Sequence, residues 1–264
     1  MTSGLKPSNG EASGLVCGVR SRQHRVNILE GVYQLRKSRK SGWQRDPEGM
    51  RKRILEAAAK EFADHGLSGA RIARIARTAG ANKRMIYYHV GDKEQLYLKV
   101  LEGAYEHIRM SERALNLEKL DPIAALLKLM EFTWRYYLKH PEFLALLGTE
   151  NLHRARHLKR SRRVKEMHSP FVALIADILR RGETDGSIRA GVDPVQLYIS
   201  MASLSWFYLS NKHTLSVIFG RNLLNPRAKT ARLAHMTNLL VAALGRPRTP
   251  QLDSDKRRPI EFKH

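Results

Sequence analysis

The 264-residue sequence predicts an all-α protein, and three observations carry that prediction. Apolar residues recur at helical spacing nearly throughout, as in Ile54, Leu55, Ala58, Ala59 and Phe62 and again in Ile123, Leu126, Leu127, Met130, Trp134, Tyr137 and Leu138. Helix starts are written repeatedly: Asp46–Pro47, Asp121–Pro122 and Asp193–Pro194 each set an acid before a proline suited to the first helical position, and Asn225–Pro226 does so with an amide. Alternating runs closed by hairpin turns are missing.

Composition bounds the function classes. A hydrophobic share of 42% is enough for a packed core. Lys and Arg total 47 against 25 Asp and Glu, and the net charge of +22 favours polyanionic partners, nucleic acid or an anionic membrane surface. Cys17 is the only cysteine, so neither an internal disulfide nor a cysteine-based zinc site is available, and a cytoplasmic location is expected. The most apolar stretch, Val195 to Leu209, is interrupted by Gln196, Ser200, Ser203 and Ser205 and is too short to span a membrane. Leu15 to Val19 is likewise too short for a signal-peptide core. No glycine-rich phosphate loop, GxSxG elbow or metal-ligand cluster appears, so neither an enzyme nor a cofactor is expected. His153 and His157 stand at i, i+4, a spacing that can hold a metal, yet no Cys or carboxylate cluster is near and cations surround them.

Charge and punctuation divide the chain. Residues 1–45 combine a Gly/Ser/Asn-rich start with Arg20, Arg22, Arg25, Arg36, Lys37, Arg39, Lys40 and Arg45, and read as a disordered basic extension, either a DNA-tracking arm or a solvated tail. A first helical domain is expected over 46–105 and a second over 106–245. Residues 246–264, with Pro247, Pro250 and Pro259 among charges, read as a second disordered tail.

The first domain has the pattern of a helix-turn-helix. The opening helix carries the Ile54–Phe62 stripe and closes at His65–Gly66, where glycine tolerates the left-handed conformation. A short helix follows, with Ile72, Ile75, Ala76 and Ala79 inward and Gly80 in the turn. Asn82 caps a third helix over Lys83 to about His89, with Ile86 and Val90 as its inward pair. Asp92, with Gln95 three residues on, forms a capping box for a fourth. Two short helices with glycine in the turn, packed on a longer one, set a recognition helix into a major groove. From His65 to Gly91 there is no acid, while Arg71, Arg74, Arg77, Lys83 and Arg84 supply five cations, as a phosphate-facing surface requires.

Ile75–Ala76, Ala79–Gly80–Ala81–Asn82, Tyr87–Tyr88–His89–Val90 and Lys93–Glu94–Gln95–Leu96 resemble, in order and spacing, the signature of the TetR (tetracycline-repressor-like) family. The later part, with its His140–Pro141 break, is more loosely similar to the pyrimidine-catabolism repressor branch. The resemblance implies a dimeric regulator that binds double-stranded DNA at an inverted repeat and is released by a small-molecule effector. Carried onto this sequence, it makes Lys83, Arg84 and Met85 the readers of base edges and Tyr87, His89 and Lys93 the phosphate contacts. Asn82 opens the recognition helix, and Arg71 stands where the family often has threonine. Tyr88 is either a DNA contact or helix-surface packing. Arg84 and Val90 depart from the family's common glycine and phenylalanine.

For the second domain, Trp134 and Tyr137 are candidates to stack on a planar effector, or plain core. Glu150, His153 and Arg154 are candidate polar contacts. Arg154 to Lys165 holds seven cations and no acid, which suits either capture of an anionic effector or an exposed loop and helix face. Val195–Asn211 and Ala228–Leu244 are apolar on more than one side, so each needs two apolar neighbours, its own domain and a partner subunit. Met201, Leu204, Tyr208, Leu233, Met236, Leu240 and Leu244 are the expected homodimer interface.

Overall fold

Ten α-helices and two short 3₁₀ turns follow one another, and no strand occurs, among residues 46–245, which are those that the structure, a computed structural model, describes. The expected basic extension (1–45), Cys17 within it, and the tail 246–264 lie outside the described residues.

The helix-turn-helix begins with α1 (Pro47–Gly69), which buries Ile54, Ala57, Ala58 and Phe62. Gly66 interrupts it at φ 63°, so the chain turns where the glycine was expected to close the helix and coils on to Gly69. Helix α2 (Ile72–Ala79) ends on Gly80 in the left-handed conformation at φ 63°, a geometry in which any side chain would be strained. Asn82 then opens α3 (Lys83–Val90), its side chain accepting the Met85 backbone N–H at 2.8 Å. Asp92 opens α4 (Lys93–Arg113) with the complete capping box: its carboxylate accepts the Gln95 N–H at 2.8 Å, and the Gln95 side chain accepts the Asp92 N–H at 3.3 Å. These bonds are local, between residues three apart, which is why the sequence displays them.

The larger bundle consists of α5 (Pro122–Lys139), α6 (Pro141–Leu152), α7 (Arg162–Asp185), α8 (Pro194–Ser210), α9 (Lys212–Ile218) and α10 (Pro226–Leu244). Asp193 and Asn225 cap α8 and α10 through side-chain bonds to Gln196 and Ala228, both 2.7 Å. Asp121 does not follow the pattern: its side chain makes no capping bond, and its backbone carbonyl alone receives the Ala125 N–H at 2.8 Å. Helix α5 packs against α7, α8 and α10 and buries Leu126, Leu129, Met130, Thr133, Trp134, Tyr136 and Tyr137, a face wider than one stripe because it has neighbours on several sides.

Two apolar clusters result. One holds the helix-turn-helix core with Leu96, Tyr97, Val100 and Leu101 of α4, and the other fills the bundle and takes Ile108 from the same helix. Ala104 touches both. The expected boundary at residue 105 therefore falls inside a continuous helix, and the two clusters share an element instead of being joined by a linker.

The turn after α7 is tightly built. Gly182 is buried and accepts the Ile188 N–H at 2.9 Å, and a Cβ added there would come within 2.5–2.9 Å of three Ile188 side-chain carbons. Gly182→Ala is expected to cost about 1–3 kcal/mol by overpacking, read as a lower midpoint in thermal denaturation followed by circular dichroism.

Candidate nucleic-acid interface

Helix α3 presents Lys83, Arg84, Tyr87 and Tyr88 to solvent while Ile86 and Val90 are fully buried beneath it. Tyr88 is 86% exposed, which packing on its own helix does not explain, and its ring meets His89 edge-on at 5.3 Å. Met85 and His89 are at the margins of that face, both half-buried. An exposed row of cations and phenol groups on a short helix held only by its inner face can lie in a groove, where amine and guanidinium groups reach base edges and phenols reach phosphates.

The basic run preceding it divides by role. Arg71, Arg77, Lys83 and Arg84 are exposed, whereas Arg74 is taken by Glu61 of α1. The Glu61 carboxylate accepts Arg74 Nη2 at 2.6 Å, Arg74 Nε at 2.7 Å and the Arg71 backbone N–H at 2.8 Å. Four outward cations remain of the five counted in the sequence, and the fifth locks α1 to the start of α2. The hydrogen bond from Arg74, joined by the Arg71 amide and the charges of Arg74 and His65, holds the Glu61 carboxyl below its usual value despite burial. Lys93 is likewise partly committed, its ammonium donating to the Ser68 carbonyl at 3.1 Å and tying α4 to the α1–α2 turn.

The basic stretch after α6 is the exposed loop and helix face of the two expected alternatives, all seven of its cations being exposed, and part of it is paired with acids. Arg160 and Arg156 reach Glu94 at 3.3 and 3.9 Å, Arg163 reaches Glu106 at 2.6 Å, and the Ser161 hydroxyl donates to Glu102 at 2.7 Å. All three acids lie along α4, so this segment is fastened to the helix that follows the recognition helix. Glu150 serves the same fastening: buried, it accepts His157 Nδ1 at 2.7 Å and the backbone N–H groups of His157 and Leu158 at 3.2 and 3.1 Å. His157 in turn meets Tyr97 of α4 edge-on at 4.9 Å. The five candidate effector contacts are thus dispersed. His153 and Arg154 are exposed, Glu150 closes a loop, and Trp134 is buried edge-on against Tyr208 at 5.6 Å. His153 and His157 do not converge on a metal: the first bonds the Thr149 carbonyl oxygen at 2.8 Å, the second Glu150. Among the described residues no group of three or more His, Cys, Asp or Glu is arranged to hold one.

Tyr137 is the exception, since it belongs to an aromatic shell around a buried ion pair that sequence reasoning missed. Arg109 and Glu112 of α4 are 3% and 1% exposed and pair at 3.0 Å. Their i, i+3 spacing is that of an ordinary surface pair, and only the helices packed over it reveal otherwise. The Arg109 guanidinium lies 4.0 Å over the Phe171 ring, and Nη2 reaches the Tyr198 hydroxyl at 3.4 Å. Its Nε and Nη1, and Oε2 of Glu112, have no hydrogen-bond partner. Burial pushes the Glu112 carboxyl up to about 8, against the opposing charge of Arg109. A separate groove of about 600 Å³, with Arg51, Lys52, Lys99, His107, Tyr136 and Glu142 on its walls, runs between α1, α4 and the α5–α6 corner.

The expected dimer residues mostly turn toward the subunit's own core. Met201, Met236, Leu240 and Leu244 are buried in the subunit's own core, and Leu204, Tyr208 and Leu233 are half-buried against it. The outer azimuths of the same helices carry Val195, Ile199 and Phe207 on α8 and Leu239 and Val241 on α10, all exposed. Both azimuths are apolar, so periodicity alone does not say which one a helix keeps for its own domain. Among the described residues no helix is long and apolar enough to cross a membrane.

Glu61→Gln should lower the melting temperature at neutral pH, because it removes the acceptor charge on which Arg74 and the Arg71 amide converge. The folded Glu61 carboxyl titrates below its usual 4.5, so its contribution is complete above that value and disappears as pH falls through the folded-state value. The gap between wild type and Glu61→Gln in thermal melts is expected to close on acidification below about pH 4.5.

Comparison with known proteins agrees with this architecture. Residues 54–100 match the family model described as bacterial regulatory proteins, tetR family, and residues 122–240 match that of the tetracyclin repressor-like C-terminal domain. The HTH-type transcriptional repressor NicS of Pseudomonas putida is 38% identical over 196 residues, covering 74% of this chain and 92% of that protein. The HTH-type transcriptional repressor SCO4008 of Streptomyces coelicolor is 35% identical over 163 residues, covering 61% and 80%. Among solved structures, the transcriptional regulator SCO4942 of Streptomyces coelicolor has a TM-score of 0.57 at 24% identity, over 75% of this chain and 99% of that one. FadR of Bacillus subtilis, solved in complex with stearoyl-CoA, has a TM-score of 0.55 at 15% identity, over 73% and 98%. With its helix-turn-helix and its helical C-terminal domain both matched, the chain belongs to the TetR family of bacterial regulatory proteins, whose members control transcription and are not enzymes.

Proposed function

We propose that this protein is a repressor that binds an inverted-repeat operator as a homodimer and leaves it when a small molecule occupies the helical C-terminal domain. The observation that carries the reading is the exposed, acid-free face of α3, set on a buried two-residue foot and joined directly to α4, which enters both apolar clusters. In this reading Lys83, Arg84 and Met85 meet base edges, and Arg71, Tyr87, Tyr88, His89 and Lys93 meet phosphates, with Asn82 fixing the helix start. A small molecule that shifts α4 relative to the bundle changes the spacing of two recognition helices in a dimer, and with it the fit to half-sites roughly 10 bp apart. Residues 46–105 then serve DNA and 106–245 serve effector and partner, with α4 common to both.

The dimer surface we assign is the outer azimuth of α8 and α10, centred on Ile199, Phe207 and Leu239. What supports it is that these apolar side chains stay exposed on two helices that already pack side by side, Arg232 donating to the Leu204 carbonyl at 2.6 Å.

Selection of bound sequences from random DNA should return a short palindrome. Replacing Lys83 and Arg84 together by Ala should lower affinity for it by about 10- to 100-fold for each base edge no longer read, at roughly 1–3 kcal/mol each, leaving salt-sensitive non-specific binding. Equal affinity for all sequences, unaffected by the change, would sink the regulator reading in favour of charge-driven coating of nucleic acid. Phe207→Glu with Leu239→Arg should shift sedimentation from dimer to monomer while helicity is kept. A dimer that survives both changes places the interface elsewhere.

A further inference from the structure

The buried Arg109–Glu112 pair is a poor structural element on its own terms. An ion pair taken out of water holds only when its remaining donors and acceptors are satisfied, and here two guanidinium nitrogens and one carboxyl oxygen have no partner. Burial favours the neutral form of Glu112, which leaves the guanidinium with little compensating charge. Its surroundings are unusual as well. Five helices converge on it with rings: Tyr105 from α4, Tyr137 from α5, Phe143 from α6, His168 and Phe171 from α7, and Tyr198 from α8. These rings form a connected chain, mostly edge-to-face, with centroid separations of 5.3 to 6.4 Å.

We infer that Arg109 is the anion anchor of an effector site for a small aromatic monocarboxylate, with the ring held among Tyr105, Tyr137, His168, Phe171 and Tyr198. The unpartnered guanidinium N–H groups suit a carboxylate, whose planar oxygens accept from them as a charge-assisted pair. Arg113 lines the small cavity beside Arg109 but is itself exposed, so one buried positive charge, that of Arg109, faces a ligand, which favours a single negative charge over a phosphate. The aromatic walls favour a flat ring over an alkyl chain, through edge and face contacts. Space is made by movement: the cavity against Arg109, lined by Arg113, Met167, Pro170, Phe171 and Leu174, is about 40 Å³, room for about one water and not for a ring. The wall that yields is α7, because Pro170 inside it has no N–H for the preceding turn and so weakens the helix next to Phe171, the ring that now covers the guanidinium. Since Arg109, Tyr105 and Glu112 are all on α4, a carboxylate here acts directly on the helix that follows the recognition helix.

This inference rests on the effector-release reading above, and its test separates the two. The full-length protein, free of DNA, is titrated with benzoate, para-hydroxybenzoate and naphthoate, and with benzamide as the uncharged isostere, by calorimetry and thermal shift. Carboxylates are expected to bind and raise the melting temperature while benzamide does not. Arg109→Gln, checked for native helicity, should lower carboxylate affinity by at least about tenfold, and Arg109→Lys, which keeps the charge without the fork, should lie between. The carboxylate–benzamide comparison needs no variant and stands even if the Arg109 replacements fail to fold. No binding by any of the carboxylates, equal binding of benzamide, or binding that survives Arg109→Gln and disappears with Lys99→Ala in the α1–α4 groove overturns the assignment. A parallel operator-release assay addresses the other reading. Carboxylate binding that leaves DNA affinity unchanged upholds this site and removes effector release, whereas release by other molecules with no carboxylate binding does the reverse.

Discussion

Helix α4 is shared by two hydrophobic cores, and the rest of the molecule is arranged around that constraint. Leu96, Tyr97, Val100 and Leu101 are buried with α1, α2 and α3, and Ile108 four residues past Ala104 is buried in the bundle. An α-helix packed at both ends transmits displacement as a rigid rod, because close-packed side chains do not compress. Its start is fixed by the Asp92–Gln95 capping box directly after the recognition helix, with Gly91 as the single residue between α3 and the cap. The bundle end of α4 and the recognition helix α3 are thus separated by one continuous helix and a short turn.

Charge pairing reinforces this arrangement. The chain as a whole carries an excess of 22 positive charges, and among the described residues several acids are placed where they hold elements together. Glu61 draws Arg74 and the Arg71 amide onto α1, while Glu94, Glu102 and Glu106 hold the segment between α6 and α7 along α4. Exposed pairs of this kind are each worth little. Several of them on one helix, with the buried Glu150–His157 bond at 2.7 Å behind them, fix the register of a loop that has little apolar surface of its own. The outer faces of α2 and α3 keep cations without acids, where a polyanion can take the acids' place.

The buried pair on α4 stands apart from that pattern. Replacing such a pair by apolar residues of similar size is often neutral or stabilising in proteins. Its placement among six aromatic rings from five helices, with three polar atoms unsatisfied, fits the proposed binding role more than a folding one. It also lies on α4, the element that both apolar clusters share.

What the sequence determined by itself was whatever depends on residues a few positions apart. The helical class, the turn at Gly80, the caps at Asn82 and Asp92 and the inward pair Ile86 and Val90 all follow from i to i+4 relations, and the motifs around them suffice to identify the family. Tertiary structure decided everything that depends on which distant face meets which. Helices α8 and α10 are apolar all round, so only packing shows that Met201, Met236, Leu240 and Leu244 turn inward and Ile199, Phe207 and Leu239 outward. The run from Arg154 to Lys165 looks like an unopposed cationic stretch because its acids lie about sixty residues earlier, on α4. Arg109 and Glu112 look like a solvated pair because burial is a property of the neighbours, and those neighbours come from helices up to about ninety residues away.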